Sequence, residues 1–116
     1  MFVILLTYKK PIEEIEKHLT EHRAWLDQGY KNDFFLLSGP MNPRTGGVII
    51  SQLENREQLE ALLKQDPFSV QGLVDHNVIE FEATKHHPQI LIKKMMSSKF
   101  SLFFLDGTQK CDTVTP

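Results

Sequence analysis

Three stretches of this chain, 1–6, 34–37 and 48–50, are apolar at consecutive positions rather than at alternate ones. Each is rich in β-forming residues, has the length of a strand, and carries large side chains toward both faces. A strand of that kind must be covered on both sides, which excludes a sheet open to water on one face. The first run closes at Lys9-Lys10-Pro11 and the second at Ser38-Gly39-Pro40. The third is entered through 41–47, a hairpin loop bounded by proline and glycine with Arg44 as its one charge.

Between these strands the period becomes helical. From Pro11 to Gly29, the residues Ile12, Ile15, Leu19, His22 and Leu26 recur at three- and four-residue spacing and share one stripe. Pro11 suits a first turn, Glu13 and Glu14 the positive end of the helix, and Gly29 its stop. At about 100° per residue His22 falls roughly 40° from the centre of the stripe. A histidine therefore points at the core, with His18 and Trp25 at the margin and Glu16, Lys17 and Arg23 facing outward. A second helix is predicted over 53–65, with Leu59, Leu62 and Leu63 as its stripe and Asp66 next in line. Pro67 disfavours the α conformation at Asp66, so the helix breaks there. A short turn restarting at Pro67 takes Asp66 as its N-cap and Gly72 as its end. The fourth strand is predicted over 77–83, with Ile79, Phe81 and Ala83 alternating against Val78, Glu80 and Glu82.

The order is βαββαβ, an α+β ferredoxin-like arrangement of a four-stranded antiparallel sheet with two helices on one face. Two helices cover one face only, and the doubly apolar strands leave the other bare. The expectation is a homodimer in which two sheets pack face to face. Residues 1–85 form the domain and 86–116 a C-terminal extension. Its apolar runs at 90–92 and 100–105, the latter before Asp106-Gly107, fit an added strand, a cover for a sheet edge, or an arm to a partner subunit.

Composition narrows the function classes. A formal net charge of −2 lacks the clustered positive excess of a nucleic-acid footprint. The single cysteine, Cys111, makes neither an internal disulfide nor a zinc site by itself and fits a reducing compartment. No run approaches the roughly 20 apolar residues of a membrane span, and the apolar N-terminus lacks a charged leader region. The expectation is a cytoplasmic protein with no nucleic-acid or membrane partner.

The chemistry centres on His22 and Asp66. A carboxylate beside an imidazole fixes its tautomer and strengthens it as a base, which suits proton transfer near neutral pH. The bland alternative is a hydrogen-bonded core histidine and a capping aspartate. The two helices run antiparallel, and the axial offset approaches about 10 Å unless the chain bends at Pro67. Ser38 joins the catalytic set by holding a ligand at its strand end, and Gly39 lets the ligand approach the backbone. Arg44 is a candidate partner for an anionic substrate, and Tyr8, Trp25 and Phe68 for the walls of an apolar pocket. His18-Leu19-Thr20-Glu21-His22 spells H-x-x-E-H, which puts both histidines on one helix face, but no third ligand is evident. No metal and no cofactor is expected.

These features together resemble the YciI-like (YCII-related) family of small dimeric α/β-barrel proteins. The resemblance rests on the N-terminal strand, His22 in the first helix, Leu37-Ser38-Gly39-Pro40 before a hairpin, and Asp66-Pro67-Phe68. Gly72-Leu73 and the strand near 79–81 follow the same pattern, so it covers about residues 1–85 and leaves out the tail. It implies a ferredoxin-like dimer with an active site on the matching histidine and aspartate. It also implies a lyase-like, dehydrochlorinase-like or isomerase-like reaction, since a relative dehydrochlorinates a chlorinated hydroxyquinol. Elimination or isomerisation of a small cyclic or aromatic substrate fits such a site; the alternative is a protein that binds a small ligand without turning it over.

Overall fold

The computed structural model describes residues 1–90. The apolar run at 100–105 and Cys111 lie outside the described residues, as does most of the run at 90–92. Two units divide the chain, Met1–Phe81 and Glu82–Pro116. In the second, the described residues include one turn, closed by the Ile90 N–H donating to the His87 carbonyl at 3.0 Å.

The first unit has four strands, β1 (Phe2–Tyr8), β2 (Phe35–Pro40), β3 (Gly46–Ser51) and β4 (Val74–Glu80). They form one antiparallel sheet in the order β2-β3-β1-β4. Its helical segments are α1 (Ile12–Lys17), α2 (Leu19–Lys31), α3 (Arg56–Leu63) and α4 (Pro67–Val70). The β2-β3-β1-β4 order with helical crossovers is the ferredoxin-like arrangement expected from the sequence. Among the described residues, no helix is long and apolar enough to cross a membrane.

Several boundaries differ from the sequence reading: the first helical stretch runs through Gly29 to Lys31, the second ends at Leu63 and the last strand ends at Glu80. The helix expected over 11–29 is interrupted at His18, whose backbone turns to φ −112° and ψ 9°. No proline or glycine marks that break. The second helix starts at Arg56 rather than at residue 53, because the Asn55 side chain accepts the Gln58 N–H and caps it there. The fourth strand starts at Val74, three residues before its expected start, and Val78 rather than Ile79 packs against the core.

Alternation sorts β1, while a register shift between Phe35 and Leu37 interrupts it in β2. Phe2, Ile4 and Leu6 of β1 and Ile49 of β3 are buried, and with Ile15, Phe35, Leu59 and Phe68 they make the core. The opposite face of the sheet is also apolar. Leu37, Ile50, Val3 and Ile79 form one cross-strand row through all four strands. Leu37 is 64% exposed, Ile79 47% and Phe81, just past β4, 41%. Helix α2 is held close to β2: a Cβ at Gly29 would run into the Phe35 ring. After α4 the chain turns at Gly72, whose φ of 65° favours glycine.

Candidate functional site

The chain does bend at Pro67, and the bend closes the gap between the helices. Asp66 leaves α3 with an extended backbone (φ −61°, ψ 125°), as a residue before proline should, and caps α4. Its Oδ1 accepts the Phe68 N–H at 3.0 Å and lies 2.7 Å from His22 Nδ1. Capping and pairing thus fall on the same oxygen. The carboxylate is completely buried, whereas the His22 side chain is 12% exposed.

With Oδ1 already accepting a backbone N–H, the role left to His22 Nδ1 is to donate. The lone pair then sits on Nε2, which has no partner among the described residues. Rings hold the imidazole in that orientation. Phe68 stacks on it at 4.0 Å and 7°, and Trp25 at 5.8 Å and 29°. Tyr8 meets Phe68 edge-on at 6.4 Å, and Phe35 backs Trp25 at 5.3 Å. The pair is therefore pre-set on both partners, the carboxylate by its cap and the imidazole by stacking.

His22 borders a cavity of about 400 Å³ between α2 and the β2–β3 end of the sheet. Its apolar walls come from Leu6, Leu19, Leu26, Ile49 and Phe68. Gly47 lies between Pro40 and Leu6 on the inner side of the sheet and adds no side chain there, which leaves room for the cavity. The size is at the small end of ligand pockets.

Of the residues expected to form a site, Tyr8, His22, Ser38, Gly39, Arg44 and Phe68 all line this cavity. Asp66 stands behind His22. Trp25 is not among the wall residues; partly buried against the core, it packs on His22, with its Nε1 buried and unpaired among the described residues. The Ser38 and Tyr30 hydroxyls share a 2.6 Å hydrogen bond, so Tyr30 orients Ser38 at the rim. His18 and His22 engage different carboxylates: His18 Nδ1 lies 3.7 Å from Glu21 and His22 Nδ1 beside Asp66. Among the described residues, no group of three potential ligands could hold a metal ion.

Two residues escaped the sequence reading. Arg23 is exposed, as expected, but also lines the cavity. His76, opposite Leu6 on the inner side of β4, has a buried and unpaired Nε2, and Asp66 has a buried and unpaired Oδ2. Burial pushes the His76 imidazole below the ordinary histidine range; the Asp66 and Asp75 carboxylates pull it back, and His22 adds to the lowering. The electrostatics of His76 thus belong with those of the pair. The missed signal was Val74-Asp75-His76-Asn77-Val78, an alternation that holds once histidine is allowed on the inner face.

Comparison with known proteins gives a family and a fold. A family model described as the YCII-related domain matches residues 1–82. One similar solved structure is the 5-chloro-2-hydroxyhydroquinone dehydrochlorinase of Burkholderia phenoliruptrix AC1100, in complex with 2,5-dihydroxybenzoquinone. It is 18% identical, with a TM-score of 0.60 over 71% of this chain and 94% of that one, and the likeness is one of fold. No curated protein sequence is similar to this chain.

Proposed function

The chain belongs to the YCII-related domain family, and from that premise we propose that it is a small-molecule enzyme using His22 and Asp66 for general acid–base proton transfer. The reaction is the elimination or isomerisation of a small cyclic or aromatic substrate. The observation that carries this reading is the 2.7 Å bond from a cavity-lining imidazole to a fully buried carboxylate. His22 Nε2 takes a proton from the substrate as base. The electron pair released moves into a new double bond. In an elimination it expels a leaving group, and in an isomerisation the imidazolium returns the proton to another atom. Asp66 touches no substrate; it is a positioning residue that fixes the tautomer and stabilises the imidazolium.

The remaining residues divide the work of holding a ring. Tyr8 and Phe68 supply apolar wall, Ser38 a hydroxyl oriented by Tyr30, and Gly39 an unobstructed approach to backbone. Trp25 supports His22 rather than the ligand. The dehydrochlorinase that shares the fold holds a single-ring quinone, a ligand of the size this cavity takes.

Deuterium uptake tests the reading without a known substrate. A panel of monocyclic phenols, enones and halogenated rings in D2O, followed by NMR, should show exchange or turnover with wild type for at least one compound. His22→Gln and Asp66→Asn should abolish it while the fold persists. Exchange unaltered in both variants removes the pair from the chemistry, and binding with no exchange makes the protein a ligand-binding module.

We further propose that the chain forms a homodimer through the outer face of the sheet. The row Leu37, Ile50, Val3 and Ile79, with Leu5, Val48 and Phe81, is apolar across all four strands. A second copy is the partner guaranteed to offer a matching surface. Sedimentation should give a dimer, and Leu37→Lys with Ile79→Lys a monomer; a wild-type monomer at about 100 µM, a concentration that saturates a micromolar dimer, rejects the interface.

A further inference from the structure

The walls of the His22 cavity carry an uneven charge. Arg23 of α2 and Arg44 of the β2–β3 hairpin both line it, and no aspartate or glutamate does among the described residues. The chain as a whole has 15 acidic residues against 13 lysines and arginines. The chain's third arginine, Arg56, lies 3.6 Å from Glu60. Neither Arg23 nor Arg44 makes an ion pair or a side-chain hydrogen bond among the described residues. The carboxylate of the site, Asp66, is buried behind His22 and occupied by it.

We infer that the ligand of this cavity is a small organic acid, whose anionic oxygens are gripped by Arg23 and Arg44 while its apolar body lies against Leu6, Leu26 and Ile49. The inference rests on the acid–base reading of the site and adds the substrate class. The geometry fits that division of labour. The two guanidinium groups come from different elements on the exposed side of the cavity wall, and each offers a fork matched to a carboxylate or ring oxyanion. The apolar wall accepts a ring or short chain but no second charge. An anion so held presents its adjacent C–H to His22 Nε2. The same guanidinium groups then stabilise the negative charge that develops on oxygen as the proton leaves.

The probes are matched acids and amides: benzoate with benzamide, phenylacetate with phenylacetamide, and cyclohex-1-ene-carboxylate with its amide. Binding is read by calorimetry and by NMR shifts of the full chain. At least one acid should bind more tightly than its amide, with a preference that shrinks as salt rises. Arg23→Gln and Arg44→Gln should each weaken that acid about tenfold, the scale of a charge-assisted hydrogen bond, and leave the amide unchanged. No preference for any acid over its amide overturns the inference, as does a preference that survives both substitutions. His22→Gln separates the two readings. Arginine-dependent acid binding alongside exchange that ignores His22 sinks the acid–base reading alone, and His22-dependent exchange without acid preference sinks the arginine inference alone.

Discussion

Asn55 and Asp66 do the same local work at the starts of α3 and α4. Each is extended, and each accepts the backbone N–H of a residue two or three positions on, Asn55 from Gln58 at 3.1 Å and Asp66 from Phe68 at 3.0 Å. As caps, asparagine and aspartate are nearly equivalent. Asn55 is neutral, exposed and has no other task. Asp66 is ionisable and completely buried at the head of a four-residue helix, where desolvation makes a carboxylate costly. Capping explains why an acceptor stands there, and His22 explains why it is an acid. Losing a cap that is also a partner should therefore cost more than losing a cap alone.

The largest separation should come from Asp66→Ala. It strips acceptors from both the Phe68 N–H and His22 Nδ1 in the interior, and a loss of about 3–5 kcal/mol is expected from urea titration. A loss no greater than that of Asn55→Ala would make the two sites equivalent. Asp66→Asn is the next step down. It retains an acceptor for the cap but no charge for the imidazole, and should cost about 1–3 kcal/mol. Nitrogen NMR should show His22 passing from one tautomer, protonated on Nδ1, to a mixture; an unchanged tautomer would show that stacking alone fixes the ring. Asn55→Ala should cost about 1 kcal/mol and leave the His22 resonances unmoved.

The smallest effect concerns His76, beside the buried cap only. Burial holds its folded value below the ordinary 6.5, so the unfolded chain takes up a proton first as the pH falls. Its contribution to stability is whole above the unfolded value and is lost as the pH drops through the folded one. Wild type should therefore lose more melting temperature than His76→Gln between about pH 7 and pH 5. Parallel curves would detach His76 from the pair.

Most of the fold was legible because periodicity survives where packing is uniform. The doubly apolar runs gave β1, β2 and β3, the three–four stripe gave the helix that carries His22, and Asp66-Pro67 marked the break before α4. Legibility failed where a polar group sits on an otherwise apolar face. His76 interrupts the apolar alternation, so periodicity starts the strand after it and misses a histidine whose electrostatics involve the pair. Arg23 is exposed where a helical wheel puts it, but a wheel knows the core and not a cavity that opens beside it. The contact between His22 and Asp66 depends on the turn angle at Pro67, a tertiary quantity that spacing along either helix does not contain.

Trp25 gives the stack around His22 a consequence of another kind. It is the chain's single tryptophan, and its ring lies against the imidazole of the pair. The intrinsic fluorescence of the protein therefore originates beside the pair, and displacement of the His22 ring, by substitution or by a ligand in the cavity, should change its intensity without any label.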